Sequence, residues 1–201
     1  EKEINRLTGD RYAIEILKLE DYNNKYNNGK PCDPLVELKE NRVQMSQLYA
    51  NTLATTDATD FYAFALPFLF RDHDHCARVL EGEIGQELMT HLHDRLQVKG
   101  LSFTYSGGYK CMAIDKPITS IDQLKNMTAH AQHSPVFVEM FKALEMDLSG
   151  DDANLTQTTL PRYHVEASKS QKHVINTQHS MYLTTILMND DMWNDLSVSD
   201  Q

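Results

Sequence analysis

The spacing of apolar positions changes period along the chain. Residues 1–8 read as the end of an amphipathic helix, Gly9-Asp10 as a turn, and "RYAIEIL" as a strand with Tyr12, Ile14 and Ile16 on one face. "DYNNKYNNGKPCDP" is polar and rich in Asn, Gly and Pro, which predicts a loop; a short helix "LVELKEN" and a strand "RVQMSQLY" follow it. "FYAFALPFLF", residues 61–70, places nine apolar side chains in ten positions and ends abruptly at Arg71-Asp72-His73-Asp74-His75. Crossing a bilayer takes about 20 residues, so this run is expected inside protein or along a cavity wall.

In "HCARVLEGEIGQELMTHLHDRLQVKG" the residues Ala77, Leu80, Ile84, Leu88, Leu92 and Leu96 recur at helical spacing, with Lys99-Gly100 as a stop. "LSFTYSGGYKCMAI" reads as a strand in which Gly107-Gly108 marks a turn or a close approach. Ser120 with Gln123 predicts a capped helix from Ile121, and Ser134 with Pro135 predicts another over "SPVFVEMFKALEM". Beyond Asp147, "SGDDANLTQTTLPRY" is loop-like, "HVEASKSQKHV" a polar helix and "INTQHSMYLTTILMND" a β-rich run. Alternating helices and strands predict an α/β fold with a largely parallel sheet.

Composition narrows the function classes. With 201 residues, 41% hydrophobic and 24% charged, the chain is long enough for one large or two small packed domains. The formal charge of -10, spread along the sequence, argues against a nucleic-acid partner, and an anionic ligand would require locally placed cations. Cys32, Cys76 and Cys111 encode neither a disulfide framework nor a zinc ribbon, although a single bridge stays open. No apolar run suggests direct membrane insertion. Because the chain opens in the tail of a helix, processing or truncation ahead of Glu1 is expected.

Nine histidines invite a metal reading, but the pairs His73/His75 and His91/His93 are spaced i,i+2, which on a helix do not face each other. His130 and His133 precede the Pro135 helix start, and no HExxH occurs. The sequence therefore predicts no metal site and no cofactor. Nor does it contain GxSxG, a P-loop or GxGxxG, and Cys76 and Cys111 have no marked base, so no catalytic residues and no enzyme activity are expected.

Four segments in order, "EINRLTGDRYAIEIL", "ALPFLFRDHDHCARVLEGEIGQEL", "GGYKCMAIDKPITSIDQLKNMTAHAQHSPVFVEMFKALEM" and "HSMYLTTILMNDDMWNDLSVSDQ", resemble the extracytoplasmic solute-binding receptors of tripartite ATP-independent periplasmic (TRAP) transporters. The resemblance covers most of the chain. It implies a two-lobed α/β fold of the type II periplasmic-binding-protein kind, with residues 1–107 and 177–201 in lobe I and 108–176 in lobe II. It also implies a periplasmic or extracytoplasmic location, a small organic acid ligand, often a carboxylate, and transfer to TRAP-type membrane subunits. "FALPFLF" would then be core and cleft wall, with "RDHDH" an exposed lead-in that Asp74 caps.

Two basic positions capture the carboxylate in such receptors. One falls on Lys110. The other, typically arginine, is His130 here, with His133 as a hydrogen-bonding neighbour; Tyr49 and Asn51 would be contacts from the first lobe. Histidine lacks the permanent bidentate fork of arginine, so affinity is expected to rise as pH falls through about 6.5. Between Pro161 and Lys169 the sequence is too short for the family's helix and strand with a Gly-Val-Asp-Gly-like turn. The resemblance further implies a first strand ahead of Glu1 and terminal helices after Gln201. The chain is accordingly expected to be an incomplete or reduced receptor, and the competing expectation is a receptor-like remnant that acts as a protein-interaction or structural module without small-molecule binding.

Overall fold

A computed structural model describes residues 2–9, 11–130, 134–150, 152–165 and 171–201. Its strands are β1 (Met45–Tyr49), β2 (Val98–Ile114), β3 (Thr128–His130), β4 (Asp147–Ser149), β5 (Leu155–Thr159) and β6 (His173–Asn189). They form one sheet in the order β1-β6-β2-β5-β3-β4. The parallel sheet expected from helix–strand alternation is found only at one edge, where β5, β3 and β4 run parallel; β1/β6, β6/β2 and β2/β5 are antiparallel. Alternation implies parallel crossovers only when successive strands become neighbours, and here β6 inserts between β1 and β2.

β2 and β6 are 17 residues each, about three times a usual strand. Their ladder slips between Gly100 and Ser102, between Tyr105 and Tyr109, and between Lys110 and Met112. Bulges of this kind bend a strand and increase its twist. The slips allow one pair of strands to serve two cores. Leu38, Leu53, Phe61, Phe64, Leu92, Val98, Met181 and Leu187 belong to the first; Met112, Ile114, Leu124, Phe137, Phe141 and Leu155 belong to the second. Strand side chains alternate between faces, so Tyr109 packs toward the first core while Met112 and Ile114 face the second.

The helices over the first core follow from local chemistry. α3 (Pro34–Lys39) has Asp33 as its cap and Pro34 at its first turn, and α4 (Ala50–Ala54) follows β1 directly. The apolar run at 61–70 enters a 3₁₀ turn, Thr59–Ala65, burying Phe61, Phe64 and Ala65. Its second half, with Leu66, Phe68 and Leu69 exposed, lies at the surface. The long helix predicted from residue 77 is two helices, α5 (His73–Leu80) and α6 (Glu83–Leu96). A β-carbon on Gly85 would lie 1.8 Å from the Leu80 carbonyl oxygen, so the tight joint requires glycine there. Asp72 rather than Asp74 caps α5, accepting from the His75 amide at 2.6 Å. α6 ends at Gln97, and Lys99-Gly100 lie within β2.

Two further expectations are corrected. "RYAIEIL" pairs with no strand of the sheet, and Ile16 is exposed; its alternation leaves Tyr12 and Ile14 only half-buried. The Asn-rich stretch read as loop begins in a helix, α2 (Leu19–Tyr26), where Tyr22 and Tyr26 at i,i+4 bring their rings to 5.4 Å. α1 covers Lys2–Thr8. Over the second core, the Ser120/Gln123 capping box forms on a 3₁₀ turn, Ile121–Leu124, and α7 spans Pro135–Ala143. The segment from Ser149 predicted as loop contains the end of β4, all of β5 and the start of α8 (Leu160–Val165); the helices close with α9 (Asp190–Asp195).

Candidate functional site

Where the two cores meet, the side chains of β2, β5 and β6 change from apolar to polar. Lys110 of β2 has Ser180 of β6 as its partner on one side and Thr159 of β5 on the other. Directly paired residues share a face of the sheet, so Ser180, Lys110 and Thr159 form one row across three strands. All three are buried, at 4%, 2% and 0% relative exposure, and Lys110 is the only lysine or arginine in the core of the described residues. Lys110 Nζ, Ser180 Oγ and Thr159 Oγ1 each have no hydrogen-bond partner among the described residues.

Aromatic rings close over this row from both sides. Lys110 Nζ lies 4.2 Å from the ring centroid of Phe137 on α7 and 4.9 Å from that of Tyr182 on β6. Tyr182 stacks in turn on Tyr49, the last residue of β1, at 4.7 Å and 9°. Ring faces favour the ammonium form, whereas burial disfavours it and pushes the Lys110 pKa down to about 7. An anion brought to Nζ would reverse that balance.

Beside the row, His179 is buried and held neutral, its pKa pulled to about 4 by burial and by the charge of Lys110. Its Nδ1 is 2.7 Å from Thr177 Oγ1 and its Nε2 is 2.8 Å from Gln157 Oε1. With a carbonyl oxygen facing it, Nε2–H donates and Nδ1 accepts from the threonine hydroxyl. That contact orients the Gln157 amide so that its Nε2 is buried with no partner. Gly107, at φ +86, permits the bulge of β2 to lie against Thr159; a β-carbon there would meet Thr159 Oγ1 at 2.6 Å.

The candidates read from sequence separate in space. Lys110 and Tyr49 are brought to one site through Tyr182. Asn51 is half-buried on the first turn of α4 rather than in a loop. His130 ends β3 beside Thr156, while Lys110 lies beside Thr159. Two strand spacings and three residues therefore separate their Cα atoms by roughly 14 Å. The His130 ring approaches the Gly150 carbonyl, Nδ1 to oxygen at 3.3 Å. His133 lies outside the described residues. Ser134 does occupy the N-cap of α7, but its hydroxyl makes no capping bond and is buried without a partner. Sequence reading did not single out Gln157, Thr159, His179, Ser180 or Tyr182; the available signal, for His179 and Ser180 alone, was the polar "TQHS" ahead of "MYLTTILM" in β6.

The three cysteines are free, and among the described residues no group of His, Cys, Asp and Glu could hold a metal ion. No helix among them is long and apolar enough to cross a membrane. Two open depressions flank the site, one along α6 and β2 and one between α7 and Leu66-Pro67-Phe68, and Lys110 lines neither.

Comparison with known proteins places the chain in a family. A model described as bacterial extracellular solute-binding protein, family 7, matches residues 5–149. The C4-dicarboxylate-binding periplasmic protein DctP of Rhodobacter capsulatus is 24% identical over 208 residues, which covers 89% of this chain and 61% of that protein. The fold matches a TRAP periplasmic solute-binding protein from Pseudomonas putida F1 solved with D-glucuronate (TM-score 0.84, 21% identity, 100% of this chain and 67% of that one). It equally matches one from Polaromonas sp. JS666 bound to D-erythronate (TM-score 0.83, 18% identity, 99% and 67%). The chain spans 61–63% of the length of three curated relatives that it aligns with over most of its own length.

Proposed function

Because the chain belongs to the bacterial extracellular solute-binding proteins of family 7, we propose that it captures a small organic acid outside the cytoplasm and presents it to membrane subunits of a TRAP-type transporter. One observation carries this reading: Lys110, the only buried lysine among the described residues, has no hydrogen-bond partner among them, and burial pushes its pKa down to about 7. A buried cation is expensive unless paired, and a carboxylate on Nζ would provide the missing half of a charge-assisted pair. Capture makes and breaks no bond, so the proposed role is transport and not catalysis.

Residues 1–107 and 177–201 are proposed as one lobe and 108–176 as the other. Apart from Ala65, the buried residues of the two cores divide along that line. Lys110 sits where β2 passes from one lobe to the other. The Phe137 ring closes on it from one lobe, the Tyr182 and Tyr49 pair from the other. A ligand reaches Nζ only if these walls part, and it stabilises the closed arrangement by its greater affinity for it. Lys110 is the proposed anchor and Tyr49 part of the facing wall, while His130 is assigned no direct contact while its ring bonds Gly150.

The test is a thermal-shift screen of the 201-residue chain against mono- and dicarboxylic acids at pH 6 and pH 8. A bound acid at a hundredfold excess over Kd should stabilise the fold by about 2.7 kcal/mol. A second reading, docking of another protein, is favoured by the apolar depression where Phe68 is 71% and Ile121 65% exposed. A cooperatively melting protein that no acid shifts would support it instead.

A further inference from the structure

Unpaired polar atoms are rare in protein interiors, yet Ser180 Oγ and Thr159 Oγ1, at the strand positions flanking Lys110, are both buried and unbonded among the described residues. Gln157, two residues from Thr159 on the same face of β5, adds an unbonded amide nitrogen whose orientation His179 fixes. All three side chains can donate hydrogens, and an ammonium can only donate. What the cluster lacks is an anionic acceptor at Nζ itself. Phe137, in the first turn of α7, covers Nζ, which brings the positive end of that helix dipole towards the same place, with the buried and unbonded Ser134 Oγ at its N-cap.

We propose that Lys110 is a carbon dioxide site: its amine adds to the carbon, the carbamate formed is seated on Ser180, Thr159 and Gln157, and the modified site is closed to organic acids. The nitrogen lone pair forms the new N–C bond, one C=O pair moves onto oxygen, and one N–H proton leaves to the buffer; no oxidant or further reagent is consumed. The product spreads one negative charge over two oxygens that accept from the two hydroxyls and the glutamine amide, and such bonds favour a buried carboxylate. A lysine in water is neutral in roughly one molecule in 2,500 at pH 7, whereas burial leaves about half of the Lys110 amines neutral and nucleophilic there. Lys110 lines neither open depression, and burying a charge is costly, so the reagent best suited to pass Phe137 and Tyr182 is small and uncharged. Closure to acids rests on the organic-acid reading above: carbamylation turns the charge at Nζ from positive to negative, and a carboxylate is then repelled.

The test equilibrates the intact chain at pH 8 with isotopically labelled bicarbonate and carbon dioxide and follows the carbamate carbon by NMR. A carbamate resonance that Lys110→Met abolishes is expected. No resonance, or only one that persists in Lys110→Met and so belongs to another amine such as the N-terminus, would overturn the inference. Ser180→Ala and Thr159→Val each remove one donor. In each, the half-saturating carbon dioxide concentration should rise about tenfold or more, as for a hydrogen bond to a charged group, while the ligand-free melting temperature holds or rises because an unpaired buried hydroxyl is gone. Unchanged half-saturation in both variants would count against the proposed seat. Lactate and succinate then separate this inference from the reading it rests on. Titrated calorimetrically at the carbon dioxide pressure that labels half of the chains, an acid that binds should show about twofold lower apparent affinity than in buffer free of carbon dioxide. Unchanged affinity would refute closure of the site and leave acid capture standing. Labelling of Lys110 with neither acid binding in either buffer would support the carbamate and tell against acid capture.

Discussion

Two polar clusters, each holding a basic side chain and a histidine, behave in opposite ways. At the surface, Asp60 accepts from His91 Nδ1 at 2.7 Å and lies 3.0 Å from Arg95 Nη1. Arg95 first and His91 second hold its carboxyl below the ordinary range. Every charge there has a partner and water as well, so the cluster is complete and contributes little that solvent could not replace. Around Lys110 the charge is buried, and the neighbouring hydroxyls satisfy neither it nor one another. The first cluster is complete within the fold, whereas the second leaves Lys110 Nζ, Ser180 Oγ and Thr159 Oγ1 without hydrogen-bond partners among the described residues. Burial without pairing distinguishes the second.

The sharpest way to break the comparison is Lys110→Met. Removing one member of a buried charge pair costs about 2–5 kcal/mol of binding, from thirtyfold to several thousandfold, and calorimetry should register loss of acid binding while the ligand-free protein stays folded. Retained affinity would mean that Lys110 is an inert core lysine and that the two clusters differ only in exposure.

Protonation provides the next test. Only the ammonium pairs with a carboxylate, so above about pH 7 each bound acid should take up one proton and affinity should fall about tenfold per pH unit. Of the titratable groups facing Nζ, His179 is neutral throughout this range and Tyr182 presents its ring face. For the ligand-free protein the sign is opposite. The folded pKa is depressed from 10.5, so between about 7 and 10.5 the unfolded chain binds more protons, and this group's contribution makes stability rise with pH across that window. An affinity that changes instead around pH 6.5 would return the role to His130.

Gly107→Ala is expected to destabilise by about 1–3 kcal/mol, measurable by urea denaturation, because it combines φ +86 with a clash against Thr159. It should also weaken acid binding by displacing that hydroxyl. Tyr49→Leu, which removes a stacked ring one step from the cation, should weaken binding by about 0.5–1.5 kcal/mol. Smallest of all, Asp60→Asn should leave acid affinity unchanged in the same titration, since its partners are His91 and Arg95 and none belongs to the row.

Much of this was legible beforehand because the signals are local. Asp33 before Pro34, Ser120 with Gln123 and Pro135 at the start of α7 declare helix starts through bonds made within a turn of the chain. Lys110 and Tyr49 were singled out as candidates, with Asn51, His130 and His133, only through the resemblance, and their role in binding is a proposal. The sheet was misread because strand neighbours are chosen between residues far apart: β6 lies between β1 and β2, and no periodicity carries that information. Gly85 illustrates the same limit, for the helical spacing runs straight across Gly82, and only the packing of α5 on α6 reveals two helices.

By itself the sequence determined that the chain is acidic, α/β, built around apolar runs too short for a membrane, and punctuated by caps and glycines whose effects act over a few residues. Tertiary structure alone decided that Ser180, Lys110 and Thr159 stand in a row and that His130 does not join them. The reason is physical: a hydroxyl or an amine is soluble and unremarked in the unfolded chain. Its meaning arises when burial removes water and the fold supplies no replacement partner, a property of three strands together and of none of them alone.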